Sequence, residues 1–363
     1  MKRLSITTLM ALGGMLSSAQ SFQRIYGNGG IWSPTAFAAS PDAYYLLHSN
    51  YSGDHRSELV KLDHGGDTIW ARGLPCFSRR VSYSEGALYI TLESADPGQP
   101  GNIVAKLDTA GNVLWANKTV YHPESYLNNY NSRIHVLSDG VLAVGTVDMG
   151  EGYADHGISL SRYNDEGALL WGKALGSPNY DLNALASALT PEGDLVVAGS
   201  RTGSFDPDFS TGSYLARFTP DGEPIWMRLF SDTIGFSGYD TPVDLIRTND
   251  GQYAMLAEHA PEGSVVVVKV DGDGALLWGR LLHIDGYNFA KGRNLIQDDQ
   301  DRFVVTGGLA STPLPNNIFL ARLGPDGSFS DGTQVTDQGY AYAPLYTTTA
   351  FGQELVEQEG AGG

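Results

Sequence analysis

The chain has 363 residues, 42% of them hydrophobic, with 45 Gly, 19 Tyr and one Cys; that is enough apolar material for a large packed core and excludes a disordered or disulfide-stapled protein. Its 23 Lys and Arg stand against 41 Asp and Glu, a net charge of −18. So acidic a balance excludes binding of nucleic acid or anionic lipid through bulk electrostatics, because both require concentrated positive charge.

Residues 1–20 read as a signal peptide. Lys2 and Arg3 precede an apolar run from Leu4 to Leu16, and Ser17-Ser18-Ala19-Gln20 supplies small residues for cleavage after Ala19. The expectation is an exported protein, secreted, held at the cell surface or kept in the periplasm. The apolar run is too short to span a bilayer comfortably, and no later stretch approaches the roughly 20 apolar residues a transmembrane helix needs, so no transmembrane segment is expected. Cys76 is the sole Cys, which rules out an internal disulfide.

From residue 61 onward one phrase recurs six times: a basic residue, an Asp-like turn, a Gly and usually a Trp. The copies begin at Lys61, Lys106, Arg162, Arg217, Lys269 and Arg322, and in five of them a Trp follows nine residues later, at Trp70, Trp115, Trp171, Trp226 and Trp278. The Trp residues lie 45, 56, 55 and 52 positions apart. A period of that size with strand-like composition predicts propeller blades of four short strands. A second repeat falls between the phrases: Ser40-Pro41-Asp42, Ser84-Glu85-Gly86, Ser138-Asp139-Gly140, Pro191-Glu192-Gly193, Asn249-Asp250-Gly251 and Gln300-Asp301. Asp-Gly and its relatives supply the positive φ of two-residue hairpin loops, so each is expected to be a hairpin tip. In the third unit the strands are predicted near 133–137, 141–147, 157–163 and 168–175, with Trp171 on the outermost, half-buried against a neighbouring blade and its indole N–H donating to a backbone carbonyl.

The sixth phrase lacks a Trp. Phe22-Gln23-Arg24-Ile25-Tyr26-Gly27 reads like Trp171-Gly172-Lys173-Ala174-Leu175-Gly176, with Phe in the Trp place. The expected architecture is therefore an all-β, six-bladed β-propeller of four-stranded antiparallel blades over 21–331, closed by the N-terminal strand acting as the outer strand of the last blade. Such closure would remove exposed strand edges. Residues 332–363 form a C-terminal tail, expected to be partly disordered, with its Glu-Gly-Ala-Gly-Gly end.

The pattern [KR]-x-D-x-x-G-x-x-x-W, followed by an Asp-Gly hairpin, resembles the repeats of secreted bacterial propeller proteins of the Bacteroidetes type. More distantly it is similar to pyrroloquinoline quinone propeller repeats. The likeness covers about 22–331 and implies the fold; such propellers serve as enzymes, scaffolds and binding modules alike. The phrase lacks the Thr before the Gly of the quinoprotein form. There are six units where quinone dehydrogenases of that kind usually carry eight, and one Cys cannot supply their adjacent-cysteine disulfide. No quinone or other cofactor is expected.

Two residue sets are candidates for ligand binding. Tyr130, Tyr180, Tyr239 and Tyr287, each followed by Asp or Asn, occupy equivalent connections and are expected to ring one mouth of the channel. Aromatic faces beside polar groups suit sugars, although a Tyr packed between blades beside a capping carboxylate is the plainer reading. Arg80, Arg133 and Arg293 begin inner strands and could form an anion pocket with Asp244 and Asn294; a one-residue change of strand phase would turn them away. The eight His form no H-E-x-x-H or H-x-H pair, Gly-x-Ser-x-Gly does not occur, and the Asp206-x-Asp208 loop lacks the Gly and Glu of a calcium loop. No catalytic or metal-binding residue is expected. The favoured reading is a monomeric, noncatalytic binding or scaffold protein for a glycan, peptide or cell-envelope partner. The alternative is a polysaccharide hydrolase or lyase with carboxylates at the channel mouth.

Overall fold

A computed structural model describes residues 32–50, 56–94, 101–120, 130–149, 156–177, 179–203, 212–232, 240–259, 264–284, 289–310, 317–328, 335–337, 342–348, 356–359 and 361–362. The predicted signal peptide, the segment Phe22–Gly27 expected to close the ring and the Asp206-x-Asp208 loop lie outside these residues.

The described chain forms six antiparallel sheets and no helix, which is the six-bladed all-β propeller expected. Blade 1 contains β1 (Trp32–Ala39), β2 (Tyr44–Asn50), β3 (Ser57–Leu62) and β4 (Thr68–Leu74). Blade 2 contains β5 (Phe77–Ser84), β6 (Ala87–Glu93), β7 (Asn102–Asp108) and β8 (Val113–Val120). In blade 3 follow β9 (Tyr130–Leu137), β10 (Gly140–Asp148), β11 (His156–Asn164) and β12 (Leu169–Gly176). Blade 4 is built from β13 (Tyr180–Leu189), β14 (Leu195–Gly203), β15 (Gly212–Phe218) and β16 (Pro224–Asp232). Blade 5 is built from β17 (Asp240–Arg247), β18 (Tyr253–His259), β19 (Ser264–Val270) and β20 (Leu276–Ile284). Blade 6 has three strands among the described residues, β21 (Phe289–Gln297), β22 (Phe303–Ala310) and β23 (Asn317–Leu323).

The middle strands β10, β14, β18 and β19 are apolar along most of their length because both faces are covered by neighbouring blades. The core lies between blades. Ala186, Ala198 and Leu215 of blade 4 pack with Met255, Val266 and Val268 of blade 5, and similar clusters join blades 1 and 2, 2 and 3, 3 and 4, and 5 and 6.

The recurring phrase is the turn from third to fourth strand, and each of its parts has a physical role. Asp63, Asp108, Asn164, Thr219 and Asp271 accept, through a side-chain oxygen, the N–H of the residue four positions on, at 2.7–3.1 Å. Gly66, Gly111, Gly167, Gly222, Gly274 and Gly327 all take φ between 77° and 86°, the left-handed position of a type I turn with a following bulge. The Trp of one blade lies on the turn Gly of the next. A Cβ on Gly111 would sit 3.0 Å from Trp70, on Gly167 2.5 Å from Trp115, on Gly222 3.0 Å from Trp171, on Gly274 2.8 Å from Trp226 and on Gly327 2.8 Å from Trp278. The Trp115 indole N–H donates to Asp165 O at 2.9 Å, the kind of contact expected of Trp171, whereas the buried Trp226 indole N–H has no such partner among the described residues. Lys61 likewise reaches Thr109 O at 3.1 Å, and Arg217 reaches Gly272 O at 3.1 Å, each in the following blade.

Two details differ from the sequence reading. All six predicted tips join first and second strands, but only those of blades 1 to 3 are two-residue loops. The tips at 190–194, 248–252 and 298–302 are one residue longer, with Thr190, Thr248 and Asp298 closing the loop through backbone bonds, because their Pro, Asn or Asp opening favours a type I turn. The Trp-bearing strand is also not the sheet edge in blades 2 to 5. Four strands of the C-terminal segment, β24 (Val335–Asp337), β25 (Tyr342–Thr348), β26 (Val356–Glu359) and β27 (Ala361–Gly362), pair with β20, β16, β12 and β8 in turn. The segment thus runs backward around the ring from blade 5 to blade 2, supplying a fifth strand to each sheet.

Candidate functional site: a basic central cavity

The first strand of every blade is the innermost one, and all six carry a β-bulge at the same level. The extra residues are Thr35, Arg79, Ser132, Leu185, Val243 and Arg293, where each strand's register slips by one against its partner. Bulges bend a strand and re-aim its side chains. Gly199 and Gly307 lie opposite two of them, and a Cβ at either would fall inside contact distance of the facing carbonyls, Asn183 O and Lys291 O. The residues just after the bulge are equivalent in all six blades: Ala36, Arg80, Arg133, Ala186, Asp244 and Asn294. Five of the residues predicted to form an anion pocket therefore lie at one level, Arg293 on the bulge and the other four one position after it.

These strands surround a cavity of about 1200 Å³. All six line it, through Thr35 and Phe37 of β1, Arg80 and Ser82 of β5, Arg133 of β9, Leu185 of β13, Thr241 and Val243 of β17, and Lys291, Arg293 and Asn294 of β21. Glu258, on β18 opposite Thr241, also faces it. Four cations and one carboxylate thus line the bore of a protein whose net charge is −18.

Arg133 and Asp244 join blades that are not neighbours. The Arg133 Nη2 donates to Asp244 Oδ1 at 2.6 Å and to Val243 O at 3.1 Å, while Asp244 also accepts the N–H groups of Leu245 at 3.1 Å and Leu295 at 2.9 Å. One carboxylate so ties blades 3, 5 and 6 together, and with both oxygens occupied it is structural. Its partner Arg133 remains on the cavity wall. Arg80 stands close enough to Arg133 to feel its charge. Burial, with that neighbouring guanidinium, draws the Arg80 pKa down to about 10, although Asp244 pulls it the other way. Lys291 and Arg293 form a second basic group beside Glu258, whose carboxyl is pushed up by burial despite their attraction. Below the cations on β9, His135 Nε2 lies 2.8 Å from Ser187 Oγ; burial, helped by Arg133, lowers its pKa to about 4 and keeps it neutral.

The predicted tyrosine rim is described at one position. Tyr180 opens β13, with the Arg201 guanidinium 3.3 Å from its ring centroid, so that cation covers one face of the ring. The neighbouring Asp181 accepts the His156 N–H at 3.0 Å, a capping contact. The Tyr130 backbone pairs with Thr146, whereas its side chain, Tyr239 and Tyr287 lie outside the described residues. Sequence reasoning missed Lys291, Glu258 and Phe37. Lys291 lies two positions before Arg293, and Phe37 two after Thr35, a spacing that inner-strand alternation would have suggested, whereas Glu258 reaches the cavity from a second strand, opposite Thr241. The repeated Gly in Ala198-Gly199-Ser200 and Thr306-Gly307-Gly308 was the legible sign of the bulges.

A scan of the sequence against protein families gives no match, and a search of curated proteins gives none either. Solved structures do resemble it. They include a protein of unknown function from Bacteroides caccae, 12% identical with a TM-score of 0.44, covering 88% of this chain and 99% of its own. BamB from Moraxella catarrhalis is 14% identical with a TM-score of 0.40, over 76% of this chain and 80% of its own. A quinoprotein alcohol dehydrogenase-like protein from Bacteroides thetaiotaomicron is 13% identical with a TM-score of 0.41, over 87% of this chain and 68% of its own. With TM-scores below 0.5, these likenesses carry no conclusion about this chain. Among the described residues no helix is long and apolar enough to cross a membrane.

Proposed function

We propose that the protein is an exported, noncatalytic and monomeric binding propeller that takes a glycan, peptide or envelope partner into its central cavity. The observation that carries this reading is the cavity wall itself. It is assembled from all six inner strands, and at or beside their bulges the lining residues differ from blade to blade, as Thr35, Arg80, Arg133, Leu185, Val243 and Arg293. Residues of a scaffold repeat are free to vary where packing does not fix them, and that is where a binding site can be built. Glycosidic hydrolysis in its usual form needs a pair of carboxyl groups about 5 to 10 Å apart. Glu258 is the one carboxylate among the described residues facing the cavity, since Asp244 is committed to Arg133 and two backbone N–H groups.

The test compares the mature protein with Asn294→Trp, which fills the cavity from an exposed position. On glycan and peptide arrays the wild type is expected to retain a ligand that the variant loses by tenfold or more. Equal retention by both would remove the cavity from the reading, and release of shortened products from any bound polysaccharide would replace binding with catalysis. N-terminal sequencing of the exported protein, expected to begin at Gln20, checks the signal peptide.

A further inference from the structure

We infer that the ligand of the cavity is an acidic oligosaccharide, carrying carboxylates that meet the basic residues contributed by blades 2, 3 and 6. This rests on the cavity being the binding site, as proposed above, and adds the chemistry of what binds there.

The cations come from three blades. Arg80 and Arg133 lie on blades 2 and 3, close enough to perturb each other, while Lys291 and Arg293 lie together on blade 6. A carboxylate taken by one guanidinium through both oxygens does not also pair in that way with a cation on another blade. A ligand with at least two anionic groups can pair with both. Arg is suited to this because its planar fork binds a carboxylate through two parallel hydrogen bonds.

Besides the cations the wall offers Ser82, Thr241 and Asn294, together with Phe37, a residue that lines the cavity and is 58% exposed. An exposed aromatic ring beside hydroxyl and amide groups matches a ligand made of hydroxylated rings better than an extended peptide. The surrounding charge sharpens the selection. With a net charge of −18, the rest of the surface repels an anion, so the basic bore is where such a ligand is held, and its low-dielectric wall strengthens the attraction there.

Calorimetric titration of the mature protein with trigalacturonate tests this, against cellotriose as the neutral ring ligand and tetraglutamate as the acidic peptide. Trigalacturonate is expected to bind at 20 mM NaCl and to weaken at least tenfold at 0.5 M NaCl. Arg293→Ala should weaken it about tenfold, Arg293→Lys should restore part of the loss, and the melting temperature of the two variants should match the wild type because Arg293 is exposed. Cellotriose binding as tightly, and being lost in Asn294→Trp, would overturn the acidic ligand while leaving the cavity as the binding site. Tetraglutamate binding more tightly than trigalacturonate would overturn the saccharide. Absence of binding by all three probes, or trigalacturonate binding that ignores salt and Arg293, would overturn the inference.

Discussion

Gly167 shows how one residue serves two blades. Its φ of 86° closes the turn of its own blade, and its missing side chain admits the Trp115 indole of the preceding one. Gly167→Ala is expected to cost about 1–2 kcal/mol for the left-handed backbone alone, with a further loss from displacing the indole. Gly86, with φ 80° and nothing within 4 Å of an added Cβ, isolates the backbone part. Urea denaturation of Gly86→Ala and Gly167→Ala should therefore give a clearly larger loss for the second, and equal losses would remove Trp packing from the explanation. At the cavity, Glu258 carries a carboxyl pKa raised by burial above its value of 4.5 in an unfolded chain. The folded state then favours the protonated acid. Its stabilising contribution is complete below about pH 4.5 and is lost as pH rises through the raised folded value. Glu258→Gln should accordingly melt higher than the wild type at pH 7 and the same at pH 4; a lower melting point at pH 7 would mean that the ionised carboxylate is held by Lys291 and Arg293 more strongly than burial opposes it.

At the scale of the element, the phrase predicted from sequence proved to be a relay in which each Trp is received by the next blade. Five relays are visible, and the relay explains why the sixth phrase keeps Gly327 while lacking a Trp: Gly327 receives Trp278 and need not be followed by a donor. By the same rule Gly66, with φ 82°, is where the fourth strand of blade 6 would place its aromatic residue, and Phe22 holds that place in the sequence. Deleting Phe22–Gly27 from the mature protein should lower the melting temperature sharply, and an unchanged melting curve would refute the closure. The strands of blade 3 were legible to within about three residues at each end, because turn chemistry and apolar runs are local signals. The loop lengths at 190–194, 248–252 and 298–302 were not, since a residue at positive φ, here Gly193, Gly251 or Asp301, serves two-residue and three-residue tips alike.

On the scale of the whole molecule the C-terminal strands link blades that the propeller repeat leaves as separate sheets. Each covers a strand edge that would otherwise present unpaired backbone groups. Removing residues 332–363 should raise amide hydrogen exchange at 173–176 and 227–232, the segments paired with β26 and β25, and promote self-association at the uncovered edges. Unchanged exchange at both segments would mean that the tail does not protect the rim in solution.

The amino-acid sequence alone determined the number of blades, the position of the turns and the role of the Trp, because each depends on residues within one repeat of each other and recurs often enough to be read. It also placed Arg80, Arg133, Arg293, Asp244 and Asn294 near the starts of inner strands. Only the tertiary structure decided that these residues share one level, since that depends on a bulge in every inner strand, and a one-residue slip reverses which side chains face inward. The Arg133–Asp244 pair spans 111 positions in the chain and passes over a whole blade, and Glu258 reaches the cavity from a second strand. No local pattern encodes such meetings, because they arise from the closure of six similar units around one bore.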